Sequence, residues 1–259
     1  MCLLVLAWQV HPRYRLVVAA NRDEFHARPA APLARWPAPD EILAGRDLEA
    51  GGTWLGLDRE RRFGVVTNFR ELQRPQPGAP SRGELIPRYL RGRESPEAYF
   101  AALAREAQRY SGFNLLLADG DSLWYGCNRA PTFARALPPG VYGLSNELLD
   151  TPWPKLTRVR RAFEAWLATR GADTAALFAM LDDRQRTDDD AALPNTGLSR
   201  EWERILSSPF VLNGEYGTRC STVLLLGAAG QLLLAERRFN SLGEVTGETE
   251  FALNRLVWP

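Results

Sequence analysis

Cys2-Leu3-Leu4-Val5-Leu6-Ala7-Trp8, the turn His11-Pro12-Arg13, and Arg15-Leu16-Val17-Val18-Ala19-Ala20 running into Asn21-Arg22-Asp23-Glu24 form the stretch on which the reading of this chain depends. The two apolar runs are short and bounded by turn residues, which is the pattern of two strands. Paired as an antiparallel hairpin centred near Pro12, they set Cys2 opposite about Arg22, because opposed positions sum to a nearly constant number. The thiol and the charged tetrapeptide then become neighbours.

Loss of Met1 makes Cys2 the terminus, and a terminal cysteine carries nucleophile and base in one residue. The thiol titrates near ~8.5 and the α-amine near ~8, so the amine can take the proton as sulfur attacks. Arg22 beside the sulfur favours thiolate, and Asp23 can orient the ammonium. From position alone the alternative stands equally: Cys2 as a small buried hydrophobe, with Arg22, Asp23 and Glu24 as an ion-paired strand end.

The 259 residues, 45% hydrophobic, suffice for a full core, and no linker or repeat divides them, so residues 1–259 read as a single domain. A formal net charge of +1 without a basic tract gives no reason to expect nucleic acid. Lys155 is the only lysine, and that skew reads as coding bias. Cys2, Cys127 and Cys220 are too widely spaced for a disulfide framework or zinc site, and Cys127 and Cys220 read as buried structural thiols. No run approaches the ~18 apolar residues of a membrane span, and Leu3 to Trp8 lacks the basic flank of an export signal. These features predict a soluble, cytoplasmic protein with no integral membrane segment; they leave its oligomeric state open.

Four prolines between Arg28 and Asp40 predict an irregular surface stretch. A second hairpin, Thr53 to Leu57 with Phe63 to Asn68, sets Asn68 against about Thr53, beside the permissive Gly51-Gly52. After the Pro-rich break Arg74 to Pro80, helices are expected over Arg82 to Leu90 and from Ser95-Pro96-Glu97 onward. Strands follow at Phe113 to Ala118, Leu123 to Cys127 and Val141 to Leu144, then helices through Leu156 to Trp166 and Asp173 to Leu181. Asp182 to Ser199, with Asp188-Asp189-Asp190, reads as a solvated loop, because the carboxylates lack the alternation of a cation loop. Ser221 to Leu226, Gln231 to Phe239 and Thr249 to Leu253 close the chain as strands. Hairpin connections with segregated helices predict an α+β fold with antiparallel sheets.

No Walker loop, Gly-x-Gly-x-x-Gly, His-Glu-x-x-His or Gly-x-Ser-x-Gly occurs, and the only histidines are His11 and His26. Catalysis, if present, therefore rests on a nucleophile that needs no histidine.

Asn21-Arg22-Asp23-Glu24 after Cys2, Gly51-Gly52-Thr53-Trp54-Leu55-Gly56, Thr67-Asn68-Phe69-Arg70 and Leu144-Ser145-Asn146-Glu147 resemble the NRDE, or Transport and Golgi organisation protein 2, family over essentially the whole chain. More distantly the chain resembles the N-terminal-nucleophile cysteine amidohydrolases, the penicillin V acylases and bile salt hydrolases. That resemblance implies a four-layer αββα sandwich with two antiparallel sheets. It also implies Cys2 as nucleophile, Arg22 and Asp23 as its supports, Asn68 and Asn146 near the oxyanion, and Arg219 as a further charge. Trp54 and Phe69 flank this set as candidate substrate-binding residues, with core packing as their other role. In those hydrolases the Arg and Asp are not adjacent; adjacent strand residues point to opposite faces, so only one of Arg22 and Asp23 is expected to face Cys2 unless a bulge intervenes.

Two functions follow as expectations. The first is hydrolysis of a non-peptide C–N amide or related acyl bond in a small molecule, with no cofactor or metal required. The second, implied by the eukaryotic NRDE proteins, is non-catalytic binding or trafficking of haem or lipid in the same cleft. Cys2, His11 or His26 could then serve as axial ligand, although no haem-attachment motif exists.

Overall fold

Both faces of the first strand are apolar, and each face packs on a different layer. The computed structural model describes residues 2–71, 78–253 and 258. In it β1 (Cys2–Trp8) sends Leu4, Leu6 and Trp8 into a core shared with a second sheet, and Leu3, Val5 and Ala7 into a core beneath helices. A strand covered on both sides has no use for polar alternation, which is why the run reads as continuously apolar.

β1 pairs antiparallel with β2 (Tyr14–Phe25), with Cys2 opposite Arg22 as the hairpin arithmetic predicts. The chain continues through β3 (Ala30–Arg35), β4 (Ile42–Asp47), β5 (Leu55–Asp58) and β6 (Phe63–Asn68), then α1 (Leu85–Arg91) and α2 (Pro96–Leu103). Next come β7 (Phe113–Ala118), β8 (Leu123–Cys127), β9 (Ala134–Ala136), β10 (Gly140–Leu144), α3 (Pro154–Ala168), α4 (Thr174–Leu181) and α5 (Arg200–Ile205). The described chain closes with β11 (Leu212–Asn213), β12 (Tyr216–Gly227), β13 (Leu232–Phe239) and β14 (Val245–Leu253).

One antiparallel sheet has the order β10-β1-β2-β12-β13-β14, with β11 on β12; the other runs β3 to β9 in sequence order. Leu4, Val18, Leu224, Leu57, Phe63 and Leu116 fill the space between the sheets. Phe163, Trp166 and Leu177 of α3 and α4 cover the first sheet, and Tyr89 and Phe100 of α1 and α2 cover the second. The result is the αββα sandwich expected.

Local expectations needed correction at three places. The stretch Arg28 to Asp40 is not wholly irregular: Ala30–Arg35 is an edge strand, and Pro32 lies where its register on β4 shifts, a place that needs no ladder donor. In the second hairpin Leu55 pairs with Val65, so opposed numbers sum to 120 rather than the predicted 121, and the pairing begins beyond Thr53. The third is an omission, since β4, β9, β11 and α5 were not predicted. The Ser95 hydroxyl caps α2 by accepting from the Ala98 N–H, as its sequence signals. Most of the Arg74 to Pro80 break falls outside the described residues.

Candidate active site

Cys2 opens β1 and faces the space between the sheets, on the same side as its partner Arg22. Asp23, one residue on, turns to the helix-covered face. β12 flanks β2 on the other side, with Cys220 opposite Arg22 and Thr218 opposite Asp23; Arg219 is the extra residue of a β-bulge between them. A bulge is present, but on the neighbouring strand, so Arg22 and Asp23 still diverge and grip the Cys2 end of the sheet from its two faces.

On the open face, Cys2 lines a cavity of about 420 Å³ together with Arg22, Glu24, Arg28, Asp47, Trp54, Asn68 and Arg82. Arg22 stacks on Trp54 at 4.3 Å and donates to Asp47 at 3.1 Å. Asp47 also accepts from Arg28 at 2.6 Å and from the backbone N–H groups of Glu49 and Ala50. Although burial pushes the Asp47 carboxyl up, these donors, Arg28 foremost, hold it below the usual carboxylate value.

On the closed face, Asp23 is 1% exposed and accepts from the Thr218 hydroxyl at 2.7 Å. Burial raises its pKa, against the opposing charge of Lys155. Lys155, near the start of α3, is also 1% exposed, and its Nζ has no hydrogen-bond partner among the described residues. Burial pushes this ammonium down to about 8, while Asp23 opposes the fall and Arg70 adds to it. Arg70 lies over Trp153 at 4.5 Å and pairs with buried Glu203 of α5 at 2.6 Å. The four groups thus form a charge-balanced buried cluster behind Cys2.

The Cys2 thiol feels both faces. Burial raises its pKa and the Asp23 carboxylate pushes the same way; the Arg22 charge and a hydrogen bond from the Asp23 backbone N–H pull it back. The net direction is up, which favours the neutral thiol.

Of the anticipated residues, Cys2, Arg22, Asp23, Trp54 and Asn68 meet at this cavity. The other three lie off its lining. Asn146 is buried, and its side-chain N–H donates to the Asn68 carbonyl at 2.9 Å. Phe69 packs into the inter-sheet core. Arg219 points away, donating to the carbonyls of Phe25 and Arg28 at 2.7 and 3.0 Å, because the bulge rotates it out of the ladder. Cys127 and Cys220 are buried, as expected. Met1 lies outside the described residues.

Sequence reasoning missed Asp47, Arg82, Lys155 and Glu203. Lys155 carried a signal: a chain that uses arginine everywhere else keeps one lysine, where a compact ammonium with a movable pKa differs from a guanidinium.

The comparisons agree with this architecture. The family model described as Transport and Golgi organisation 2 matches residues 1–241. The Transport and Golgi organization protein 2 homolog of Bos taurus is 36% identical over 261 residues, covering 92% of each chain. The Homo sapiens homolog is 35% identical over 257 residues with the same coverage, and the Drosophila melanogaster protein 27% over 272 residues, covering 93% of each. Among solved structures, a mutant conjugated bile acid hydrolase from Clostridium perfringens superposes with a TM-score of 0.53 over 100% of this chain and 94% of that one, at 8% identity. At that identity the likeness establishes a shared N-terminal-nucleophile-type fold and nothing of the substrate. With the family model covering nearly all of the chain and vertebrate relatives matching over 92% of it, this chain belongs to the Transport and Golgi organisation 2 family.

Proposed function

We propose that the protein hydrolyses an amide or related acyl bond of a small molecule, with the Cys2 thiol as nucleophile. The observation that carries this reading is the placement of Cys2 on the wall of a polar cavity, with a cation on its own face and a buried carboxylate–ammonium cluster behind it. When Met1 is removed, the α-amine of Cys2 accepts the thiol proton as sulfur attacks the carbonyl carbon. The C–N bond then breaks, the amine leaves with that proton, and water cleaves the thioester to free the acid and restore the thiol. Asn68, held by Asn146, offers a side-chain amide to the oxyanion, a contribution of roughly 2.7 to 4 kcal/mol when such a donor is well placed.

The alternative, haem or lipid binding in the same cleft, has less support. Seven of the eighteen residues lining the cavity are charged, which suits a compact polar ligand better than an acyl chain or a porphyrin. His11 is spent in its turn, its Nδ1 accepting from the backbone N–H groups of Arg13 and Tyr14, and neither histidine lines the cavity.

Intact mass of the purified full chain, before and after a thiol-selective acylating reagent, tests the proposal. Loss of Met1 is expected, with Cys2 acylated at least about tenfold faster than Cys127 or Cys220, as thiolate access differs that much between cavity and core. Cys2→Ala removes the fast phase. Retained Met1 with slow, unselective labelling overturns the reading.

A further inference from the structure

Three arginines line the Cys2 cavity, and two are already neutralised: Arg22 is on Asp47, and Arg28 is on Asp47 and Glu49. The third, Arg82, differs. Its Nη1 donates to the Gly112 carbonyl at 3.0 Å, and it makes no ion pair among the described residues. Of the carboxylates whose charge it feels, Glu71 takes both nitrogens of Arg129 and the Gly112 N–H, while Glu24 accepts from the Phe25 N–H and lines the cavity with no salt-bridge partner among the described residues. Burial lowers the Arg82 pKa, with Glu24 and the Cys2 sulfur as the main charges opposing the shift.

The backbone holding Arg82 is firmly seated. The Ser81 hydroxyl caps the turn by accepting from the Gly83 N–H at 3.2 Å, and the Gly83 carbonyl accepts from the Thr53 N–H at 3.0 Å. A Cβ at Gly52 would lie 2.2 Å from that carbonyl, so the Gly52 position is reserved for the close approach of this turn. A partly buried guanidinium on a fixed turn beside a nucleophile, without a carboxylate of its own, is a site for an anion from outside.

We propose that Arg82 seats an anionic group of the substrate, a carboxylate or a phosphate, and that the Cys2 cavity therefore takes a compact anionic acyl compound. The inference rests on the Cys2 reading and names the substrate class for it.

Its test uses iodoacetate and iodoacetamide, two reagents that differ in charge and share a leaving group. Each forms an S–C bond at Cys2 and releases iodide, so any change in thiolate population cancels in the ratio of their rates. In the wild-type full chain iodoacetate is expected to modify Cys2 faster than iodoacetamide, and Arg82→Gln to lower the ratio about tenfold, the scale of one charge-assisted contact. Arg82→Lys retains part of the preference. Protection of Cys2 from iodoacetamide by inorganic phosphate alone assigns a phosphate, and protection by acetate alone assigns a carboxylate.

A ratio unchanged in Arg82→Gln overturns the inference and leaves the Cys2 reading standing. Alkylation of Cys2 no faster than that of Cys127 by either reagent removes both. Should Arg82→Gln fail to fold, protection in the wild-type protein decides, and its absence with both anions overturns the proposal.

Discussion

The two faces of the sheet at Cys2 carry comparable charge and treat it in opposite ways. On the cavity face, Asp47 gathers Arg22, Arg28 and two backbone N–H groups, and its carboxylate is held in the ionised form. On the helix face, Asp23 and Lys155 are nearly inaccessible, and burial moves the carboxyl up and the ammonium down, toward each other. What separates them is hydrogen bonding and water, since a charge pays the full desolvation cost only where donors are too few to replace the solvent.

Lys155→Met should break the contrast most severely. It leaves Asp23 buried without its main opposing charge, and urea unfolding should report a loss of about 3–5 kcal/mol. Adding Asp23→Asn to that variant should recover part of the loss, because the uncompensated carboxylate is gone. Equal stability of the single and double variants would mean that the cluster acts as packing alone.

A pH series of unfolding midpoints sharpens the comparison next. Lys155 falls from 10.5 in the unfolded chain to about 8 when folded, so between those values the unfolded chain binds more protons and stability rises with pH across that window. Asp23, raised above 3.8, makes the fold less stable as pH climbs from 3.8 through its folded value. Asp47, lowered from 3.8, contributes stability that is present above 3.8 and lost as pH falls through its folded value. Acid therefore weakens the open face and relieves the closed one; Lys155→Met should abolish the alkaline rise, and Asp47→Asn should blunt the acid loss.

The smallest effect is expected from Asp47→Asn at neutral pH, about 1–3 kcal/mol, because Arg28 keeps some access to water. Its clearer signature is a slower Cys2 reaction with iodoacetamide, since an Arg22 released from Asp47 no longer holds its place over Trp54. An unchanged rate would remove Arg22 from the site's electrostatics.

Much of the architecture was legible in the sequence because it is local. The Cys2–Arg22 pairing follows from counting about Pro12, and the β7–β8 hairpin follows from two apolar runs joined across Asp119-Gly120. The prolines near Ala30–Arg35 concealed an edge strand, since an edge tolerates a missing donor that a central strand does not. With that stretch read as loop, β4 and its terminal Asp47 went unrecognised, and so did the carboxylate that holds Arg22. Asn146 was placed near the oxyanion by resemblance; its hydrogen bond to the Asn68 carbonyl is a contact that no local stretch of sequence gives.

By itself the sequence determined most of the strands, the hairpin that sets Cys2 beside Arg22, and the scarcity of histidine, because periodicity, turn residues and composition are properties of neighbours along the chain. Tertiary structure alone decided that the Asp23 carboxyl is buried on Thr218 beside Lys155 although the residue borders the cavity, that a bulge turns Arg219 to the Phe25 and Arg28 carbonyls, and that Arg82 stands at the cavity without an ion pair among the described residues. Those facts depend on which charges meet across 50 to 200 residues of chain and on how much water remains between them, and burial, unlike strand period, is not written in any local stretch.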